Sequence, residues 1–106
     1  MARFEENTGK PSAKEALKAA QRRVRQAQGE ARQGHWEAAK NHYELALNGA
    51  KRQDGVWLDG LRKLVSGIPD TSQDRAKGEG LLNQAEQGFN EAEQAARDRS
   101  RALRER

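Results

Sequence analysis

The chain has 106 residues, of which 20 are basic and 16 acidic, and a net charge of +4. Its length allows one small domain. The absence of cysteine excludes disulfides, thiolate metal sites and a cysteine nucleophile.

Large aliphatic side chains and phenylalanine are scarce in this sequence. Leu, Ile, Val and Phe provide 15 of the 106 residues, or 14%, below the roughly 20% under which disorder becomes an alternative. Because the net charge is small and alanine is abundant, we expect closely packed helices with a small core, and self-association as a homo-oligomer. No run approaches the roughly 18 apolar residues of a membrane span, and the N-terminus lacks the apolar core of a signal peptide. We therefore expect a soluble cytoplasmic protein with no membrane partner.

Residues 1–11 are predicted to form a flexible N-terminal segment, and residues 12–106 a single helical domain. The first helix is predicted to begin at Ser12, because Ser12 and Glu15 have the spacing of a capping box. Gly34 is expected to end it. Its apolar positions lie on one stripe of a helix with 3.6 residues per turn, and comprise Ala13, Ala16, Leu17, Ala20, Val24, Ala27 and Ala31.

The opposite side of the first helix carries a basic band, Lys14, Lys18, Arg22 and Arg25, with Arg32 at its end. Such a band can track a phosphate backbone in a salt-sensitive manner. It can equally be a solvated face, a surface that answers the acidic first half of the last helix, or a surface that meets an acidic protein. Interleaved aromatic residues, which single-strand binding uses, are missing from it, so nucleic acid is the weaker alternative. We assign partner binding to these four residues.

A second helix is predicted from about His35 or Trp36 to Asn48, because Trp36, Ala39, Tyr43, Ala46 and Leu47 share one stripe. Gly49 suits its C-cap.

A third, short helix is predicted after Asp54. Its apolar positions Trp57, Leu61, Leu64, Val65 and Ile68 have helical spacing, and Pro69 closes it. This run is the densest apolar stretch, so it is predicted to be the buried centre of the protein.

A last helix is predicted from about Thr71 or Ser72 to near the C-terminus, with an alanine-rich heptad that Arg99 interrupts. Over the whole chain, the predicted structural core comprises Trp36, Tyr43, Trp57, Leu61, Leu64 and Phe89.

The stretch from Gln33 to Gly49, which contains Gly34, Trp36, Ala39, Tyr43, Ala46 and Leu47, resembles the second helix and preceding turn of a tetratricopeptide repeat. In that family the small residues let paired helices approach closely, and the aromatic residues fill the groove between them. The resemblance implies a single helical hairpin rather than a tandem array. It also implies binding of peptides or other proteins, by analogy of fold alone.

Catalytic and metal chemistry have weak support in the sequence. His35 and His42 are the only histidines, and no acidic residue has the helical spacing that would complete a metal site with them. The carboxylates are dispersed among basic residues at ion-pair spacings. We therefore expect no enzyme activity, no metal and no cofactor.

These observations predict an all-α protein, a small helical bundle or tetratricopeptide-like helical hairpin of about four helices. The predicted function is that of a non-enzymatic protein–protein interaction module, such as an adaptor, chaperone-like or assembly protein. The alternative is a small basic regulator that binds nucleic acid as a dimer.

Overall fold

The structure is a computed structural model, and it describes residues 12–51 and 53–104. In chain order its elements are α1 (Ala13–Arg32), α2 (Trp36–Asn48), β1 (Gly49–Lys51), β2 (Trp57–Asp59), α3 (Leu61–Ser66) and α4 (Gln73–Arg104). The four helices pack together, which confirms the prediction of a small all-α bundle. The predicted flexible segment 1–11 lies outside the described residues.

Helix α1 begins where its local sequence indicates. The Ser12 hydroxyl accepts a hydrogen bond from the Glu15 N–H at 3.2 Å, and Glu15 Oε1 accepts one from the Ser12 N–H at 3.4 Å. These two bonds form the predicted capping box and satisfy two backbone donors that a helix start leaves without partners. At the other end Gly34, with a φ of 82°, turns the chain toward α2.

Helix α2 lies at the centre of the bundle, between α1 and α4. Its buried stripe consists of Ala39, Tyr43, Ala46 and Leu47, and small residues from both neighbours pack against it. Tyr43 packs directly on Gly88 of α4, where a Cβ atom would overlap the tyrosine ring. Alanine and glycine thus let the helices approach closely enough to close a core with few large aliphatic side chains.

A β-hairpin replaces the first half of the predicted third helix. Strands β1 and β2 pair antiparallel, with Gly49 opposite Asp59, Ala50 opposite Leu58 and Lys51 opposite Trp57. Asp54 does not cap a helix. Its carboxylate accepts a hydrogen bond from the Val56 N–H at 3.1 Å, which stabilises the turn between the strands.

The assignment of Trp57 to the core is wrong, since 53% of this residue is exposed. Its ring lies over Gly49, where an added Cβ would be 2.8 Å from Trp57 Cζ2. Gly60 meets the end of α2 so closely that a Cβ there would overlap the backbone of Leu47 and Asn48. The chain therefore approaches the bundle at Gly60, and the indole of Trp57, three residues earlier, stays at the surface.

Helix α3 is shorter than predicted, and the prediction that it forms the buried centre is wrong. Leu61, Val65 and Ile68 are buried, while Leu64 is half-buried. Arg62, Lys63 and Ser66 are exposed. The segment therefore caps one side of a core whose centre is α2, and the largest fully buried side chains in that core are Leu47, Leu61 and Val24.

Helix α4 runs along the whole bundle and continues past it. The Ser72 hydroxyl accepts a hydrogen bond from the Asp74 N–H at 3.1 Å, so Ser72 stabilises the start of the helix. On its inner face Ala85, Ala92 and Ala96 are buried, and Phe89 packs against the core, as does Trp36 of α2. From residue 97 to residue 104 every side chain is exposed.

Candidate interaction surface

The predicted basic band forms a continuous exposed face on α1. Lys14, Lys18, Arg22 and Arg25 are all exposed, and a rise of about 1.5 Å per residue spreads them over roughly 16 Å of the helix. Within the described ranges 12–51 and 53–104, none of the four makes an ion pair or a side-chain hydrogen bond. We call these four residues the basic face.

The two acidic residues of α1 are engaged elsewhere, which explains why the basic face has no counter-charge from its own helix. Glu15 accepts a hydrogen bond in the capping box, and Glu30 pairs with His35 Nδ1 at 2.9 Å. Both lie near the ends of the helix. The middle of the basic face is therefore left with positive charge only.

Basic residues elsewhere in the fold contrast with this face, because many of them have acidic partners nearby. Such surface pairs each contribute only about 0–1 kcal/mol, but they neutralise charge locally. The pairs are Lys40–Glu37, Arg62–Glu86, Lys63–Asp59, Arg75 with both Asp70 and Glu79, and Arg97–Glu93. Among the described residues, positive charge without an ion pair therefore lies along α1, and also at the end of α4 on Arg99, Arg101 and Arg104.

Helices α1 and α4 run parallel, although they are far apart in sequence. Tyr43 packs on Gly88, and Trp36, at the start of α2, lies beside Ala96. The earlier residue of α2 thus meets the later residue of α4, so the two helices are antiparallel. The tight turn at Gly34 makes α1 antiparallel to α2. The N-termini of α1 and α4 therefore lie at the same end of the bundle, where their helix dipoles both favour negative charge.

A groove of about 440 Å³ separates these two parallel helices. Its floor is apolar, with Leu17 of α1 and Leu81 of α4, both partly buried against the core. Its rim carries three lysines and one acid. The lining residues are Lys14, Leu17, Lys18, Gln21, Asp74, Ala76, Lys77, Gly80, Leu81 and Gln84. We call this the α1–α4 groove.

The basic face also borders a second, smaller groove on the side of the β-hairpin. Lys18, Arg22 and Arg23 line it together with Leu58 of β2. Glu15 and Gln26 make this groove more polar than the α1–α4 groove. The basic face is therefore a ridge between two grooves, and Lys18 lines both.

The sequence indicated only part of this surface. It identified the four basic residues, but Lys77, Gly80 and Leu81 of the α1–α4 groove were missed, because some sixty residues separate them from α1. One local signal was present. Gly80 lies inside a helix, where glycine costs about 1 kcal/mol against alanine, and a Cβ added there would have no atom within 4 Å.

The two histidines lie apart from the basic face. His35 is exposed and pairs with Glu30, whereas His42 is half-buried and its Nδ1 atom has no hydrogen-bond partner. In the part of the chain that the structure describes, no group of three or more histidine, aspartate and glutamate residues is arranged to hold a metal ion.

Tyr43 is the only tyrosine, and the fold perturbs its ionisation. Desolvation by burial raises the pKa of its hydroxyl above 10.0, the charge of Glu91 raises it further, and Arg32 lowers it. Since the ring fills the space over Gly88, its role is one of packing.

Among the helices described, none is both long and apolar enough to cross a membrane. The resemblance of residues 33–49 to a tetratricopeptide repeat stays a prediction. Comparison of the chain with protein-family models, with curated proteins and with solved structures finds no match.

Proposed function

We propose that this protein is a non-enzymatic protein-interaction module that binds an acidic partner through the basic face of α1. The observation that carries the proposal is that Lys14, Lys18, Arg22 and Arg25 are all exposed and form no ion pair with another described residue. A folded chain gains little from four like charges on one helix, because neighbours of like charge three or four residues apart destabilise it slightly. An acidic partner would relieve that repulsion and gain charge-assisted hydrogen bonds.

The surroundings of the basic face favour a protein over nucleic acid. Both grooves beside it contain leucine, and each has one acidic residue on its rim, Asp74 or Glu15. The one strongly exposed aromatic side chain among the described residues, Trp57, is not part of either groove lining. A surface for single-stranded nucleic acid would instead place aromatic side chains among the basic ones.

A variant with all four residues of the basic face changed to Gln tests the proposal. Gln is about as good a helix former as Lys or Arg, so the helical circular dichroism should not change. We expect the unmodified protein to bind an acidic peptide such as polyglutamate at low salt, and the four-Gln variant to lose this binding. Mixed-sequence DNA and RNA should bind weakly or not at all, even near 50 mM salt.

The opposite pattern would overturn the choice of partner. Micromolar or tighter binding of mixed-sequence nucleic acid at physiological salt, lost in the four-Gln variant, would identify the basic face as a phosphate-binding surface. In that case the slope of log affinity against log salt should fall by somewhat less than one unit for each lost contact.

A further inference from the structure

We infer that the α1–α4 groove is the site where the partner binds, and that the bound segment is an acidic amphipathic helix with aliphatic side chains on one face. This inference rests on the proposed function, since it takes the acidic partner from there. It adds the location of the bound segment, its secondary structure and the pattern of its side chains.

The groove combines two features that an acidic amphipathic helix would match. Leu17 and Leu81 supply an apolar floor that is only partly covered by the core. Lys14, Lys18 and Lys77 supply positive charge on the rim, and none of these lysines has an ion pair within the described residues. Aliphatic side chains of a partner would cover the leucines while its carboxylates meet the lysines, so charge and apolar surface are complementary on the same helix face.

The backbone of the groove indicates a helix rather than an extended peptide. Both walls are α-helices, whose backbone N–H and C=O groups are already bonded within each helix away from its ends. Beyond the first turns of the two helices an extended peptide would find no backbone partner, whereas a helix satisfies its own backbone groups and presents anchors at positions i, i+3, i+4 and i+7. The parallel orientation of α1 and α4 adds the positive ends of two helix dipoles at one end of the groove.

The described helices of a second copy of this chain do not supply such a helix. The acidic helix of the chain is the first part of α4, and its apolar face is already packed inside its own bundle around Ala85 and Gly88. The proposed occupant is a segment of another protein.

Gly80 allows the groove to be blocked without disturbing the fold. A Cβ at this position would meet no atom within 4 Å, so Gly80→Leu places a side chain over the groove and should fold at least as well as the parent. Gly29 of α1 provides the matched control. It is also inside a helix with no atom within 4 Å of an added Cβ, and it does not line the α1–α4 groove.

The test uses a synthetic helical peptide with Leu at positions i, i+3, i+4 and i+7 and Glu on the flanking positions. A peptide of the same composition with scrambled order serves as the negative probe. We expect the first peptide to bind, with amide chemical shifts changing around Leu17 and Leu81, and the scrambled peptide to bind about tenfold more weakly or worse, since only the ordered peptide aligns its anchors. Gly80→Leu should weaken binding at least about tenfold by filling the site, Gly80→Ala should weaken it less, and Gly29→Leu should leave it unchanged.

Charge is tested separately with Lys77, which belongs to the groove but not to the basic face. Lys77→Gln should weaken binding of the ordered peptide and reduce its dependence on salt. Lys51→Gln, the same change at an exposed lysine of β1, should have no effect.

The outcomes separate this inference from the proposed function. The ordered peptide could lose affinity in the four-Gln variant but bind Gly80→Leu and Lys77→Gln as it binds the parent. That result would show that the groove is the wrong site, and it would still support an acidic partner for the basic face. Equal binding of ordered and scrambled peptides would overturn the helical, apolar character of the occupant. If neither peptide binds while polyglutamate does, this inference fails and the proposed function stands, whereas failure of polyglutamate as well would overturn both.

Discussion

Two glycines of α4 should respond in opposite directions to the same substitution. Gly88 lies under the ring of Tyr43, where a Cβ would be 2.5 Å from Cε1 and 2.6 Å from the hydroxyl oxygen. Gly80, eight residues earlier in the same helix, faces open space. We expect Gly88→Ala to destabilise the protein and Gly80→Ala to stabilise it.

The change in unfolding free energy follows from two contributions, of which one applies to both glycine positions. Replacing glycine by alanine inside a helix stabilises it by about 1 kcal/mol, and this gain applies at both positions. Overpacking a core costs about 1–3 kcal/mol, and it applies at Gly88 alone. The ring of Tyr43 is rigid and 5% exposed, so it cannot move aside as the end of a flexible side chain would. The free energies of unfolding of the two variants should therefore differ by about 1–3 kcal/mol.

Thermal and urea unfolding followed by helical circular dichroism measure this difference. Because an added Cβ at Gly88 would overlap three atoms of the rigid tyrosine side chain, we expect the cost there to exceed the helix gain. For a domain of this size 1 kcal/mol corresponds to about 4–8 °C in Tm, so the Gly80→Ala melting curve should lie above the parent curve and the Gly88→Ala curve below it. Tyr43→Ala provides the internal check, because Gly88→Ala made in that background has no ring to meet and should be stabilising. An equal rise in Tm for Gly88→Ala and Gly80→Ala in the parent protein would show that Tyr43 does not pack on Gly88.

Three further predictions follow from the positions of single side chains. Trp57→Ala should cost less than the roughly 3–5 kcal/mol of a buried tryptophan, whereas Leu61→Ala should cost about 2–5 kcal/mol; urea unfolding of both variants compares a half-exposed ring with a fully enclosed leucine. Because burial raises the pKa of Tyr43, the folded protein favours the protonated hydroxyl. The resulting contribution to the free energy of unfolding is fully present below pH 10.0 and is lost as the pH rises through the higher folded pKa. Absorbance titration of this single tyrosine measures its pKa, and alkaline melts of Tyr43→Phe measure the loss of stability. We also expect self-association through exposed apolar side chains such as Leu103, which is 60% exposed, so Leu103→Lys should reduce the weight-average mass in sedimentation.

Each of these has a result that contradicts it. A larger loss of unfolding free energy from Trp57→Ala than from Leu61→Ala would show that the indole is part of the core. Titration of Tyr43 at the free tyrosine value, or an alkaline loss unchanged in Tyr43→Phe, would show that the hydroxyl is not desolvated. A strictly monomeric species, with a melt independent of concentration, would show that alanine-rich faces suffice within one chain.

Much of the helical architecture can be predicted from the sequence because its causes are local. The capping box at Ser12, the apolar stripe of α1 and the glycine at position 34 act within a few residues of the bounds that they set. The basic face is likewise local, since residues three or four apart on a helix share a side. These features need no knowledge of the rest of the chain.

The β-hairpin and the position of Trp57 could not be predicted in this way. The spacing of Trp57, Leu61 and Leu64 fits a helix, but a short apolar run does not distinguish a helix from a strand by periodicity. The decisive contact is that of Gly60 with the backbone at the end of α2, which joins residues about twelve positions apart. That contact brings Leu61 into the core and leaves the indole outside.

The candidate site likewise has one part that the sequence predicts and another that only the fold shows. The sequence by itself predicted a basic band along α1, because residues three or four apart on a helix share a side. Only the tertiary structure decided that Leu17 and Lys18 face Lys77 and Leu81 across a groove. The physical reason is that α2 packs between α1 and α4 and holds them parallel. That arrangement depends on the ring of Tyr43 packing on Gly88, a contact between residues far apart in the sequence.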